Sequence, residues 1–189
     1  MKQTKTHPTT FSFCMRATSF GPVAVLWSLY GGAPKIRQIL ISNPEMSAQE
    51  AVEKFFPDAV ASSCEEIDIL VDQIEALLNG ADIKFSLDAV RLDLCSPFQQ
   101  QVLRADHAIP RGSVSTYRLI AEQIGNPRSA RAVGTAQATN PFPIVIPCHR
   151  VIRSNGALGG YGGGTEMKRT LLEREGVVIK KGTGLLYGF

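Results

Sequence analysis

The chain has 189 residues, 44% of them hydrophobic and 20% charged, with a formal net charge of +3. That is room for one large domain or two small ones of ordinary water-soluble type, and no apolar run reaches membrane-span length. The four cysteines (Cys14, Cys64, Cys95, Cys148) show no Cys-x-x-Cys spacing and no His at ligand spacing, which argues against a zinc site or a disulfide frame.

Residues 1–10 are polar and carry no apolar export signal, so we expect a cytoplasmic protein, or a nuclear one in a eukaryote. Residues 11–15, 23–30 and 36–41 are apolar or alternating and read as strands, separated by Gly21-Pro22 and Gly31-Gly32-Ala33-Pro34 turns. Trp27 lies in an alternating strand and is expected in the core. Ser47 with Glu50 forms a capping-box pattern before a short helix that Pro57 stops, and Ser63 with Glu66 repeats it. Ile67, Leu70, Val71, Ile74, Leu77 and Leu78 then recur at helical spacing, closed by Gly80. Residues 85–94 read as extended. Nothing in this half carries chemistry, and Cys14, Cys64 and Cys95 have no activating neighbour in sequence.

A boundary is expected near Cys95, giving residues 1–95 and 96–189. The first part holds 8 Lys/Arg and 12 Asp/Glu, the second 12 and 5. A basic half suits a polyanion, although a solvated surface explains charge equally well. Ser96-Pro97-Phe98-Gln99 is a helix start: Ser at the cap, Pro at the first position, Gln reaching back. That helix runs to about His107, whose imidazole suits the C-terminal dipole. Ser115 or Thr116 caps a helix ended by Gly125, with Ile120, Ala121 and Ile124 facing inward. Asn126-Pro127 starts the next, through about Ala138. Two short helices joined by Gly-Asn-Pro read as a helix-turn-helix. Ala130, Ala132, Gly134, Ala136 and Ala138 give the second helix a small-residue surface around Arg131, suited to close approach by another helix or by a nucleic-acid groove.

The densest chemistry is Ile144-Val145-Ile146-Pro147-Cys148-His149-Arg150-Val151-Ile152. An apolar run halted by a proline delivers a thiol, an imidazole and a guanidinium. A base or cation beside a thiol raises its thiolate fraction. A lone cysteine in an apolar run is ordinarily core filling, and adjacent strand residues point to opposite faces. Weighing against that reading, Gly156, Gly159, Gly160, Gly162, Gly163 and Gly164 crowd around Tyr161 just downstream and permit close backbone approach to a ligand. Thr165 is expected to cap a final helix through Glu175, ended by Gly176. Glu173 and Glu175 oppose the dipole of its last turn; Glu173 is expected to pair with Arg169 or Arg174.

Pro-Cys-His-Arg-Val followed by Gly160-Tyr161-Gly162-Gly163-Gly164 resembles the active-site signature of the O6-alkylguanine-DNA alkyltransferases (methylated-DNA–protein-cysteine methyltransferases). The resemblance extends through Ser96-Pro97-Phe98-Gln99, Tyr117, Gly125-Asn126-Pro127, Ala130-Arg131-Ala132-Val133-Gly134, Asn140-Pro141, Leu171-Leu172 and Glu175-Gly176, about half the chain. It implies an α+β fold: a small N-terminal α/β domain with a β-sheet, and a mostly helical, winged-helix-like C-terminal domain with the helix-turn-helix.

By the same resemblance the substrate is an O6-alkylguanine, with O4-alkylthymine open, in double-stranded DNA, and the protein is a monomer needing no cofactor or metal and no membrane. Arg131 enters the base stack in place of the flipped nucleotide. Tyr117 aids extrusion and donates a hydrogen bond to the departing base. Ala130, Gly134 and Arg118 join Arg131 and Tyr117 in contacting DNA. Asn140 holds the turn before the nucleophile, and Pro143, Val151, Tyr161 and Gly162 join it around the substrate pocket. Cys148 takes the alkyl group once and irreversibly, with His149 as general base through a water, oriented by Glu175. The family often has a serine or another small residue where Gly162 stands, which leaves alkyl-group preference open. Two other readings remain: a lesion-binding protein without transfer, against which the Cys148-His149 pair argues, and a Cys-His thiol hydrolase, which has no need of Arg131.

Overall fold

The computed structural model describes residues 11–180. The polar start (residues 1–10) and residues 181–189 lie outside the described residues.

Strands β1 (Ser12–Arg16), β2 (Val23–Tyr30) and β3 (Ala33–Ile41) form an antiparallel meander. Strand β4 (Val60–Ala61) adds parallel to β1, giving the order β3-β2-β1-β4. Val23 to Trp27 are buried without interruption, because both faces of the sheet are covered. Helix α1 (Ala48–Phe55) packs Ala48 and Val52 against Ala24 and Leu26. Helix α2 (Glu65–Leu78) packs its apolar stripe against Val23, Val25 and Trp27 on the other face. Trp27 is 8% exposed and its Nε1–H donates to the Ser62 carbonyl at 3.1 Å.

The capping box at Ser47 and Glu50 forms as expected. The second does not: Cys64 occupies the cap of α2 with no side-chain bond, and Ser63 Oγ donates instead to Asp68. Residues 85–94 are not a strand but two 3-10 turns, Leu87–Ala89 and Leu92–Leu94, which lay Phe85, Val90 and Leu92 on the core. Period-two apolar spacing cannot distinguish the two. Arg91 N–H donates to Ile36 O, and Ile39 N–H donates to Pro141 O, both at 2.8 Å. The outer edge of β3 is thereby paired and tied to the segment that leads to Cys148.

Helices α3 (Pro97–His107), α4 (Tyr117–Gln123) and α5 (Ala130–Ala138) pack around Val102, Ile120, Ala121 and Val133. A two-residue parallel ladder joins β5 (Ser115–Thr116) to β6 (Val151–Ile152), and α6 (Thr165–Arg174) follows. Ser96 caps α3 with Pro97 in the first turn. Gln99 does not reach back, however. Its Nε2 donates to Ala136 O, Thr139 O and Thr139 Oγ1, each at 3.1 Å, satisfying carbonyls that the end of α5 leaves open. Thr116, rather than Ser115, caps α4.

Helix α5 starts four residues later than Asn126, at Ala130, because residues 126–129 form a turn in which Ser129 N–H donates to Asn126 O at 2.9 Å. Its Ala136 faces the core, not the small outer surface. Gly164, with φ of 89°, caps α6, so Thr165 is its first helical residue. Arg169 pairs with Glu166 and Arg174 reaches Leu78 O and Ser19 Oγ, so neither forms the expected pair with Glu173.

The largest apolar cluster runs across residue 95. It joins β2, β3 and α2 to Leu103, Phe142, Ile144, Val145, Ile146, Met167 and Leu171. The sheet and α2 therefore form one wall of the compartment that seats the nucleophile segment.

Candidate active site

Residues 144–146 are buried, as their composition requires, but they are a turn and not a strand. Ile144 adopts φ of 74°, a left-handed conformation in which a β-branched residue is strained. Ile146 N–H donates to Phe142 O at 2.8 Å and Cys148 N–H to Ile146 O at 2.8 Å. Asn140 closes the loop: its Oδ1 accepts from Phe142 N–H at 2.9 Å, and its Nδ2 donates to Ile146 O at 3.1 Å and to Cys148 Sγ at 3.3 Å. One side chain thus fixes the loop and touches the thiol.

Cys148, His149 and Arg150 form a single 3-10 turn, so the three side chains fan out rather than alternate. Cys148 is 9% exposed. Burial pushes its thiol up to about 11, outweighing the Asn140 bond. The cation next door in sequence does not help it directly. Arg150 donates from Nε and Nη2 to the two oxygens of Glu175, both at 2.9 Å, and from Nη1 to Ile109 O at 2.7 Å.

His149 is fully buried, with Nε2 at 2.9 Å from Glu175 Oε1. Burial lowers its pKa, against the pull of Glu175. A neutral ring donates to the carboxylate from Nε2, which leaves Nδ1 as an acceptor, and Nδ1 has no partner. Burial alone would raise Glu175; the bonds from His149 and Arg150 outweigh it and bring the carboxyl down to about 2. Its place at the end of α6, unfavourable for the helix dipole, is thus compensated by two side chains of the nucleophile turn.

Cys148 opens into a cleft of 380 Å³ walled by Tyr117, Gly134, Gln137, Ala138 and the loop Gly160, Tyr161 and Gly162. The β5–β6 ladder sets Ser115 opposite Val151, which brings Tyr117, at the start of α4, beside the nucleophile turn. Burial, and then the proximity of Cys148, raise the Tyr117 phenol, which keeps its proton as a donor. Gly159, with φ of 74°, leaves room for this ring: a Cβ there would stand 2.9 Å from Tyr117 Oη. Tyr161 meets His149 edge-on at 6.1 Å between centroids. A larger cavity of 510 Å³ is bounded by Ile144, Val145, Pro147 and Arg150 with Phe85 and His107. It excludes Cys148 and His149, and His107 Nε2 is 2.9 Å from Phe85 O, a structural bond.

The expected residues thus separate. Cys148, Tyr117, Gly134, Tyr161 and Gly162 meet at the cleft, with Asn140, His149 and Glu175 directly behind the nucleophile. Pro143 and Val151 are buried and are not among its walls. Arg131 is exposed on α5, while Ala130 is half-buried against the helical core. Arg118 is exposed on α4 and pairs with Glu122 at 2.8 Å.

Two buried polar features were missed. Lys168 is fully buried and donates from Nζ to Val151 O at 2.6 Å and to Gly160 O at 3.4 Å, tying β6 to the glycine loop. Burial lowers its ammonium to about 8. Asp106 is also fully buried and accepts from Gln137 Nε2 at 2.7 Å. The signal for both was a charged residue inside an apolar helical stripe, with Met167, Leu171 and Leu172 around one and Val102, Leu103 and Ala105 around the other. Among the described residues, no group of three or more His, Cys, Asp and Glu is placed to hold a metal ion.

Residues 97–177 match the family described as 6-O-methylguanine DNA methyltransferase, DNA binding domain. A methylated-DNA–protein-cysteine methyltransferase of Methanothermobacter thermautotrophicus is 44% identical over 131 residues, 69% of this chain and 72% of that protein. The protein of the same name from Mycobacterium leprae is 50% identical over 106 residues, 56% of this chain and 62% of its own length. In fold, the chain is similar to Mycobacterium tuberculosis OGT, crystallised in complex with DNA. The TM-score is 0.67 at 32% identity, covering 87% of this chain and 93% of that one. A matched domain that carries the Cys148 turn, the cleft and the helix-turn-helix, with a fold shared over nearly the whole described chain, makes this protein a member of the methylated-DNA–protein-cysteine methyltransferase family.

Proposed function

We propose that this protein repairs DNA by direct reversal, moving the alkyl group of an O6-alkylguanine in duplex DNA onto Cys148. The observation that carries the reading is the nucleophile turn. A buried thiol faces a cleft, and beside it a neutral imidazole is held by Glu175 through Nε2 with Nδ1 unpartnered. At rest the thiol keeps its proton, since its pKa stands near 11. On reaction the proton passes from Sγ through a water to His149 Nδ1, and Glu175 stabilises the imidazolium. The thiolate attacks the alkyl carbon in line, the C–O6 bond breaks, and its electron pair stays with the guanine. Tyr117 donates a hydrogen bond to the leaving base. A thioether is not an acyl bond and has no ready hydrolysis, so each molecule reacts once.

The alkyl carbon is inaccessible in the stack, so the nucleotide is extruded into the cleft, at a cost of a few kcal/mol. Helices α4 and α5 meet the duplex. Arg131, exposed and without an ion-pair partner among the described residues, fills the vacated space. Gly134 and Ala130 permit close approach, and Arg118 binds phosphate by exchanging its Glu122 partner for it. The relative crystallised with DNA supports this partner. In this reading residues 96–189 carry recognition and chemistry, residues 1–95 support them, and the protein acts as a monomer in the cytoplasm or nucleus. No described helix is long and apolar enough to cross a membrane.

The test uses a duplex oligonucleotide carrying one O6-methylguanine with excess protein. Intact and peptide masses should show one methyl on the Cys148 peptide, absent in Cys148→Ala. Tight binding without a mass change would make the protein a lesion binder and remove the roles given to Cys148, His149 and Glu175. Repeated turnover of an acyl ester would favour a thiol hydrolase.

A further inference from the structure

Behind the cleft lies a buried polar pair that the transfer step does not use. Asp106, on the inner face of α3, is 0% exposed, and Gln137, on α5, is 8% exposed. Gln137 Nε2 donates to Asp106 Oδ1 at 2.7 Å, and Asp106 Oδ2 has no partner. A carboxylate can only accept, so the amide must turn its NH2 toward Asp106 and its carbonyl away. Gln137 is also a wall of the cleft that holds Cys148 and Tyr117. Its Oε1 has no protein partner, yet is not among the unpaired polar atoms sealed from solvent. The Gln137 amide therefore presents its acceptor with a fixed direction, set by a carboxylate that is costly to bury.

An O6-alkylguanine offers ring acceptors and one kind of N–H donor, the exocyclic 2-amino group, because alkylation at O6 removes the N1 proton. O4-alkylthymine has lost its N3 proton and offers no N–H donor on that edge. We infer that Gln137, oriented by Asp106, is a specificity-determining residue that accepts a hydrogen bond from the 2-amino group of the extruded base, selecting alkylguanine over O4-alkylthymine. The inference rests on the alkyltransferase reading of Cys148. Asp106 is a positioning residue: without it the amide can reverse and offer a donor instead. Burial raises the Asp106 carboxyl to about 7, so the carboxylate form prevails on the alkaline side of neutrality.

The experiment measures single-turnover methyl transfer to Cys148, at about pH 8 to keep Asp106 ionised. The substrates are duplexes containing O6-methylguanine, 6-methoxypurine (the same lesion without its 2-amino group) or O4-methylthymine. The wild-type protein should prefer O6-methylguanine over 6-methoxypurine by about 10-fold or more, and Gln137→Met should bring the two to within about twofold by slowing the first. Asp106→Asn should lower the preference and raise the relative rate on O4-methylthymine. If either variant folds poorly, Asp106→Leu/Gln137→Met replaces the pair with apolar groups and is read by the same ratio. A preference unchanged in a folded Gln137→Met or double variant overturns the inference alone. Absence of methyl gain at Cys148 in the wild-type protein overturns the transfer reading and this inference with it.

Discussion

Glu175 Oε1 and His149 Nε2 lie 2.9 Å apart in a site closed to solvent, and the same carboxylate holds Arg150 through both oxygens. One residue from the end of α6 thus orients the base and neutralises the cation that follows it. Glu175→Gln should slow methyl transfer to Cys148 by about 10- to 100-fold, since the imidazolium loses its counter-charge. It should also destabilise the fold by about 3 kcal/mol, because Arg150 is left buried and unpaired. Stopped-flow transfer rates and urea melts check the two effects separately.

The same carboxyl makes part of the stability acid-sensitive. It ionises near 2 when folded against 4.5 in the reference state. Its contribution is complete above the unfolded value and is lost as pH falls through 4.5 toward 2. Urea melts should show the wild-type protein losing roughly 2–3 kcal/mol from this source over that window. A wild-type and Glu175→Gln difference that stays constant from neutral pH to about pH 3 would contradict it.

Asp106 titrates in the opposite sense. Its folded carboxyl ionises near 7 and its reference form near 3.8. Below 3.8 both states carry the proton and burial costs nothing; the cost grows as pH rises and is complete above 7. Asp106→Asn should therefore be the more stable protein at about pH 8, by roughly 1–3 kcal/mol, with the advantage gone by about pH 4. Thermal melts across that range are the measurement.

Asn140 is the only described side chain that both closes the 140–148 loop and touches Sγ. Asn140→Ala removes three bonds and the donor that partly offsets burial of the thiol. The Cys148 pKa should rise beyond its already high value, and transfer should slow by about 10-fold or more, with a stability loss of about 1–3 kcal/mol. The pH dependence of Cys148 labelling by iodoacetamide, read by peptide mass, follows the thiol directly.

The glycine loop contains positions with different demands. At Gly162 a Cβ would meet only Ile41 Cδ1 at 3.8 Å, so Gly162→Ser should change stability by less than about 0.5 kcal/mol. At Gly163 a Cβ would overlap Met167 Sδ, and at Gly159 it would press on Tyr117 Oη from a left-handed backbone. Gly163→Ala should cost about 1–3 kcal/mol, and Gly159→Ala should also slow transfer by displacing Tyr117. Melting temperatures and transfer rates for the three variants distinguish these outcomes.

The chain alone determined the elements whose physics is local. The three strands of the meander, the apolar stripe of α2, the Ser47 box and the Ser96-Pro97 start all follow from neighbours within a few residues. So did the reactive candidates, because Pro-Cys-His-Arg beside a glycine-rich loop concentrates unusual chemistry in a short stretch. Tertiary contact decided the rest. Arg150 looked like an activator of Cys148 and is bound to Glu175 instead. Gln99 looked like a capping side chain and closes the end of α5 from another helix. Residues 144–146 have strand composition but form a strained turn, because Asn140 and the apolar cluster hold them there. Lys168 found its partners on β6 and the glycine loop, and Asp106 found Gln137 on another helix, only through tertiary packing. Hydrophobic spacing records which face of an element is buried; it does not record which distant polar group waits there, and in this site those long-range pairs orient the chemistry.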